Sequence, residues 1–282
     1  MSSLPPDLVE KYDRLMARFN EFGEVAVAFS GGVDSSVVAK AAFLACGNRA
    51  VALTAVSPSL AAGELETASQ VAAEIGIRHE LVRTEEFQNP EYVKNEPNRC
   101  FYCKDELYTR LEQLRERFGF RVILNGANLD DRGDHRPGMQ AARDHQVDSP
   151  LLACEFTKQD VRDLAQFWRL PVWDKPASPC LSSRIAYGLE VTPERVRRVD
   201  AAERYLKDRL GLNELRVRHL EHDAASLEVP SPALPMFSDH KLTDEVTSHL
   251  KTLGFRSVTI DPEGFRSGRL NDVIPLDQLQ KM

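Results

Sequence analysis

Five apolar residues, Val25 to Phe29, run between Gly23 and Gly31 and lead through Ser30-Gly31-Gly32-Val33-Asp34-Ser35 into a helix-forming stretch, Ser35 to Cys46. A strand that is apolar throughout is expected to be covered on both faces, as in the middle of a parallel sheet. The alternation continues with a strand at Ala50–Val56, a helix at Gly63–Ile75, a strand at His79–Arg83, a helix around Lys104–Phe118 and a strand at Arg121–Asn125. Ahead of it, Leu8, Tyr12, Leu15, Met16 and Phe19 recur at helical spacing and mark an amphipathic helix from Pro5 to about Glu21. Strands separated by helices of this length predict βαβ units with right-handed crossovers, whose ligands sit at the carboxyl ends of the strands. The loops after Phe29, Val56 and Asn125 are therefore expected to form the site.

The stretch Pro171–Gly188, PVWDKPASPCLSSRIAYG, interrupts the helical pattern and is too specific for a casual linker. It places the domain junction, giving domains 1–175 and 176–282, a division that 282 residues can support. Thr192-Pro193 opens a helix to about Leu210; Leu215–Leu220 and Ser226–Val229 read as strands. A helix at Asp239–Leu253, capped by Ser238, and a strand at Ser257–Ile260 complete a second, smaller α/β domain.

Lys and Arg number 36 against 43 Asp and Glu, and the net charge of −7 argues against a broad nucleic-acid surface and for a small substrate. Five cysteines, at 46, 100, 103, 154 and 180, do not make a disulfide framework. Neither a signal peptide nor a membrane span is visible, so the cytoplasm is the expected location, with no membrane partner.

Between strand and helix, Ser30-Gly31-Gly32-Val33-Asp34-Ser35 is placed to cradle an anion with backbone N–H groups and the positive helix end. The glycines permit close approach, Ser30 and Ser35 add hydroxyls, and the Asp34 carboxylate is suited to hold Mg²⁺ against phosphates. No lysine completes the loop, which argues against Walker-type chemistry. Cys100-Phe101-Tyr102-Cys103 lies just before a helix, and Cys180 lies in a proline-flanked loop. Three thiolates are incomplete for a closed zinc site and suit a 4Fe–4S cluster with one iron open; on spacing alone, a redox pair with an unrelated thiol fits as well. Cys46 and Cys154 sit among apolar residues and are expected in the core.

SGGVDSS after the first strand resembles the pyrophosphate loop (PP-loop) of the adenine nucleotide alpha-hydrolase-like ATP pyrophosphatases, which cleave ATP to AMP and pyrophosphate and adenylate a substrate oxygen. The implied fold is a Rossmann-like parallel sheet domain, α/β in class, followed by the second domain. Further along come Asn98-Arg99-Cys100-Phe101-Tyr102-Cys103-Lys104, Asn125-Gly126-Ala127-Asn128, Arg136-Pro137-Gly138, Lys175-Pro176-Ala177-Ser178-Pro179-Cys180-Leu181-Ser182-Ser183-Arg184, Arg216-Val217-Arg218 and Gly264-Phe265-Arg266-Ser267-Gly268-Arg269-Leu270-Asn271-Asp272. In this order they resemble the LarE family, ATP-dependent sulfur transferases of nickel-pincer nucleotide synthesis for lactate racemase, over nearly the full chain.

The resemblance implies a pyridinium-3,5-dicarboxylate mononucleotide as substrate, adenylated at a carboxylate by ATP and converted to a thiocarboxylate. It assigns Ser30, Gly31, Gly32, Asp34, Ser35 and Gly126 to ATP with Mg²⁺, and Cys180 to catalysis. Arg184, Arg216 and Arg218 are expected to bind the substrate anion, the latter two alternating along one strand face. Cys100, Cys103 and Cys180 are expected to hold the 4Fe–4S cluster, loaded by a sulfide donor; the alternative is single-turnover sacrifice of Cys180 sulfur, leaving dehydroalanine. Glu203 and Glu228 match divalent-metal positions, with Asp239 as a guess at a third ligand. A homo-oligomer, hexameric by resemblance, is expected. Competing readings are a PP-loop tRNA thiolase, disfavoured by the acidic charge, and a nucleotide-binding scaffold, for which the Pro-Cys-Leu-Ser-Ser-Arg loop is unnecessary.

Overall fold

The computed structural model describes residues 4–131 and 137–266, so Arg136 and the 267–272 end of the last motif lie outside the described residues. The chain forms two compact units. One comprises Met1–Ser57, Ala62–Glu85 and Cys100–Ser178; the other comprises Pro58–Ala61, Glu86–Arg99 and Pro179–Met282. The second unit thus takes in two segments from the first half of the sequence, which a single cut at 175/176 does not describe.

In the first unit, α1 (Pro6–Phe22) precedes β1 (Val25–Ala28), α2 (Val33–Cys46), β2 (Ala50–Val56), α3 (Glu64–Ile75), β3 (Arg78–Arg83), α4 (Arg99–Gln113), β4 (Val122–Leu124) and α5 (Lys158–Phe167). The four strands form a parallel sheet in the order β3-β2-β1-β4, with Val25 opposite Ala50 on one side and Val122 on the other. Central β1 is buried at Val25, Ala26 and Val27, as its uninterrupted apolar run requires. Helix α2 buries nine of its fourteen residues. A helix so enclosed has its termini placed by packing on all sides, which holds the glycine loop at its amino end.

The helix expected at Lys104–Phe118 begins instead at Arg99, and a separate turn, Arg115–Phe118, follows it. Cys100 and Cys103 therefore lie among the first five residues of α4 rather than before a helix.

In the second unit, α6 (Pro193–Leu210) is capped by Thr192, whose side chain accepts from the Arg195 N–H, with Pro193 in its first turn. Strands β5 (Arg216–Leu220), β6 (Ala224–Glu228) and β7 (Ser257–Ile260) make a sheet in that order, β5/β6 antiparallel and β6/β7 parallel. Helix α7 (His240–Thr252) is capped by Asp239, not Ser238, which ends the preceding 3₁₀ segment. Among the described residues, no helix is long and apolar enough to cross a membrane.

Candidate functional site

The loop at the amino end of α2 is tied by its own hydroxyls. Ser35 Oγ accepts from the Ser30 N–H at 3.2 Å and donates to the Gly32 carbonyl at 3.1 Å, while the Gly32 N–H donates to Ser30 Oγ at 3.3 Å. Gly31 has φ +70°, and a Cβ there would lie 2.7 Å from the Ala68 Cα, so both backbone conformation and the approach of α3 demand glycine. A Cβ on Gly126 would come within 2.8 Å of the Ser35 nitrogen, so the turn after β4 lies against the first turn of α2. The fold thereby brings Ser30, Gly31, Gly32, Asp34, Ser35 and Gly126 to one place at the carboxyl edge of the sheet.

Two side chains absent from the expected set complete this place. Asn128 donates to Asp34 Oδ1 at 3.0 Å, and Lys158 Nζ pairs with Asp34 Oδ2. The sequence shows no lysine in the loop; the fold supplies one from the first position of α5. That helix is fixed by a capping box between Thr157 and Asp160. A helix amino terminus with a lysine beside it is suited to a polyphosphate. Asp34 offers a single carboxylate, which fits Mg²⁺ arriving with phosphates and water as its other ligands.

Cys46 and Cys154 are buried, and burial pushes both thiols up from their ordinary range, as suits core positions. Cys100 and Cys103 stand three residues apart on one turn of α4, Cys100 exposed and Cys103 partly so; i, i+3 spacing puts both on one helix face. Cys180 belongs to the second unit, exposed at the head of a 3₁₀ turn, Leu181–Arg184.

Arg184, Arg216, Arg218, Glu203 and Glu228 are all buried, with exposures of 3–7%. Arg184 Nε meets Glu203 Oε1 at 3.0 Å, and Arg218 Nε meets Glu228 Oε1 at 2.9 Å. Glu203 Oε1 also accepts from the Val217 N–H at 3.1 Å. Both carboxylates are thus counterions of buried arginines. Among the described residues, no three His, Cys, Asp or Glu side chains cluster as metal ligands, and Asp239 accepts instead from the Lys241 N–H at the start of α7. No third ligand joins Glu203 and Glu228 among the described residues.

Arg216 differs from its neighbours. Its guanidinium lies 4.4 Å from the Phe265 ring centroid and makes no hydrogen bond or ion pair with a described residue. Burial, then the charges of Arg184 and Arg218, push its pKa down to about 10, against the opposing pull of Glu228 and Glu203. It remains a cation at neutral pH, and a bound anion would relieve the repulsion.

Comparison with known proteins places this geometry. The asparagine synthase family matches residues 12–108, the stretch holding the glycine loop. A glutamine-hydrolysing GMP synthase chain of Archaeoglobus fulgidus is 25% identical over 201 residues, 67% of this chain and 65% of its own. An uncharacterised protein of Synechocystis is 46% identical over 95% of this chain and 99% of its own. The pyridinium-3,5-bisthiocarboxylic acid mononucleotide synthase of Lactiplantibacillus plantarum is 36% identical over 96% of this chain and 98% of its own. The chain belongs to this synthase's family, the LarE family. It is accordingly an enzyme of the PP-loop superfamily.

For this LarE-family chain, sequence reasoning missed Lys158 and Asn95, and met Asn128 and Arg99 only as members of motifs, without a role. Thr157-Lys158-Gln159-Asp160 carries a legible helix-start signal, but nothing local aims Lys158 at Asp34. Asn95 and Arg99, exposed to 0% and 4%, are buried polar residues in a segment with no recognisable periodicity.

Proposed function

We propose that this enzyme uses ATP to adenylate a carboxylate of a pyridinium-3,5-dicarboxylate mononucleotide and then exchanges the adenylated oxygen for sulfur. The observation that carries the substrate assignment is Arg216, a buried cation with no anionic partner among the described residues. A small anionic nucleotide, rather than a nucleic acid, suits one enclosed guanidinium in a chain of net charge −7.

In the first step a substrate carboxylate oxygen attacks the α-phosphorus of ATP and pyrophosphate leaves. The amino end of α2 and Lys158 take up the negative charge of the departing pyrophosphate, and Asp34 contributes a ligand to Mg²⁺. In the second step a sulfur nucleophile attacks the acyl carbon and AMP leaves with the bonding pair.

In the first reading of the sulfur source, Cys100, Cys103 and Cys180, three thiols outside the hydrophobic core, would be the donors of a 4Fe–4S cluster. They would hold it with one iron lacking a protein ligand, where the cluster would carry exogenous sulfide. A second reading is favoured by the exposure of Cys180 at the head of its turn. In it the Cys180 thiolate attacks the acyl adenylate to give a thioester. Loss of the Cys180 α-proton then breaks the Cβ–S bond, the electron pair stays on the thiocarboxylate sulfur, and dehydroalanine remains.

The test is anaerobic incubation with ATP, the carboxylated pyridinium nucleotide and sulfide as the sulfur source. AMP, pyrophosphate and thiocarboxylate in equal amounts are expected; ATP cleavage stimulated instead by RNA would replace this reading with a tRNA thiolase. Iron and sulfide content, with intact mass before and after turnover, separates the two sulfur routes.

A further inference from the structure

The peptide carbonyls around Cys180 are held by side chains to an unusual degree. Arg184 Nη1 donates to the Pro179 carbonyl at 2.7 Å and the Cys180 carbonyl at 3.3 Å; Arg218 Nη1 donates to the Ser183 carbonyl at 2.8 Å. The first two bonds are made within the turn itself and the third comes from β5 of the second unit. Another set comes from the segment Glu86–Arg99, which belongs to the same unit although it lies far away in sequence.

Asn95 is fully buried and left-handed at φ 57°. Its side-chain NH₂ is shared among the carbonyls of Ile185 at 3.2 Å, Ala186 at 2.7 Å and Leu189 at 2.9 Å. Its own carbonyl accepts from the Gly188 N–H at 3.1 Å. Its Oδ1 accepts from Arg99 Nη1, which also donates to the Ser182 carbonyl at 2.8 Å. Beside them Tyr92 Oη and Ser182 Oγ are 2.7 Å apart, and the Val191 N–H donates to the Val93 carbonyl at 2.9 Å. Ser59, from the other inserted segment, receives the Leu181 N–H on its carbonyl at 2.9 Å and donates its hydroxyl to buried Glu86 at 3.0 Å.

We propose that Asn95 and Arg99 are positioning residues for Cys180: a buried clamp that holds the backbone of residues 182–189 and so presents the Cys180 thiol for sulfur transfer. Three considerations carry this. Buried side-chain donors that bond several backbone carbonyls of one turn fix its geometry more narrowly than apolar packing of Leu181 and Ile185 alone would. The left-handed backbone of Asn95, a conformation asparagine adopts more readily than other non-glycine residues, lets its side chain and its own carbonyl hold the same segment. The clamp lies on the Cys180 turn itself, two to nine residues beyond the thiol. The proposal rests on the sulfur-transfer reading, and its test separates the two.

Asn95→Gly keeps the left-handed backbone and removes the side-chain donors. Hydrogen exchange at the Leu181, Ile185 and Ala186 amides, which needs no substrate, is expected to speed up by about tenfold or more, the scale of one lost buried hydrogen bond. Pyrophosphate exchange, which reads adenylation alone, should stay within about twofold with an unchanged KM for ATP, while kcat for thiocarboxylate formation falls at least about tenfold. Should Asn95→Gly fail to fold, Arg99→Met is expected to give the same split, and Arg99→Lys, which keeps a charged donor, to recover most of the transfer rate. Unchanged amide exchange overturns the clamp. So does a parallel fall in both half-reactions, or wild-type transfer in Arg99→Met. If the wild-type enzyme forms no acyl adenylate, it is the functional reading that fails, and the amide exchange still decides whether the clamp exists.

Discussion

Lys158, at the first position of α5, pairs with Asp34 in the first turn of α2 across 124 positions of sequence. The pair joins a carboxylate suited to Mg²⁺ with a cation suited to phosphate, at the only end of α2 where unsatisfied N–H groups point outward. A polyphosphate carrying its metal ion can exchange both partners at once, the lysine turning to phosphate oxygen and Asp34 to the cation.

Replacing Lys158 by Met is therefore expected to raise the KM for ATP by about tenfold or more, the range of one charge-assisted hydrogen bond of ~1.5–3 kcal/mol. Thermal stability should hardly change, because a pair exposed to 32% and 27% contributes only ~0–1 kcal/mol. ATP-dependent pyrophosphate exchange reads the first quantity, and an unchanged KM would remove Lys158 from the phosphate site.

Gly31→Ala meets two penalties: a left-handed φ of +70° and a methyl group 2.7 Å from backbone of α3. The strain alone is about 1–3 kcal/mol, so a lowered melting temperature together with loss of ATP binding is expected. Gly126→Ala has no positive φ to strain it, and its methyl would press on the Ser35 nitrogen at 2.8 Å. It should lose ATP affinity at a smaller cost in stability; equal melting temperatures for the two variants would contradict this ordering.

The buried charges of the second unit divide by partner. Glu203→Gln leaves Arg184 without its counterion at 5–6% exposure and is expected to cost about 3–5 kcal/mol, read by denaturant unfolding. Arg216→Met removes a buried cation that has no partner to strand, so stability should hold or rise. The thermal shift caused by a carboxylated pyridinium mononucleotide should vanish in that variant. Destabilisation of Arg216→Met as severe as that of Glu203→Gln would show that Arg216 is structural.

His145 sits between Asp105 at 3.0 Å and Glu112 at 3.1 Å. Burial alone would lower its pKa, but the hydrogen bonds to Asp105 and Glu112 and their charges outweigh it and the net shift is upward. A raised pKa in the folded state means that its stabilisation is fully present below the unfolded value of ~6.5 and disappears as pH rises through the folded value. His145→Gln should thus lower the melting temperature at acidic pH more than at alkaline pH. A pH-independent difference would refute the linkage.

Cys180→Ala is expected to abolish thiocarboxylate formation and leave pyrophosphate exchange intact, since the loop at α2 belongs to the other unit. Cys100→Ala distinguishes the sulfur routes: loss of iron and of repeated turnover supports the cluster, while unchanged stoichiometric transfer supports the sacrificial thiol.

Much of this was legible in the chain of residues. The βαβ rhythm, the Ser30–Ser35 turn and the arginine alternation at 216 and 218 are local patterns, set by side-chain period and turn chemistry. Boundaries were less legible: α4 starts at Arg99 because the helix extends through Cys100 and Cys103, and α7 takes Asp239 as its cap although Ser238 is chemically as suitable. Least legible was the setting of Glu203 and Glu228: among the described residues no third ligand joins them, and each carboxylate meets a buried arginine that nothing local in the sequence announces.

By itself, then, the sequence determined the sheet-building elements, the anion-binding turn and the family, because these depend on neighbours within a few positions. Only the tertiary structure decided which charges are partnered. It brought Lys158 to Asp34, matched Arg184 and Arg218 with Glu203 and Glu228, left Arg216 unmatched, and drew Asn95 and Arg99 onto the turn after Cys180. The physical reason is that a charge or buried donor takes its role from the few ångströms around it, and packing, not sequence separation, sets those distances.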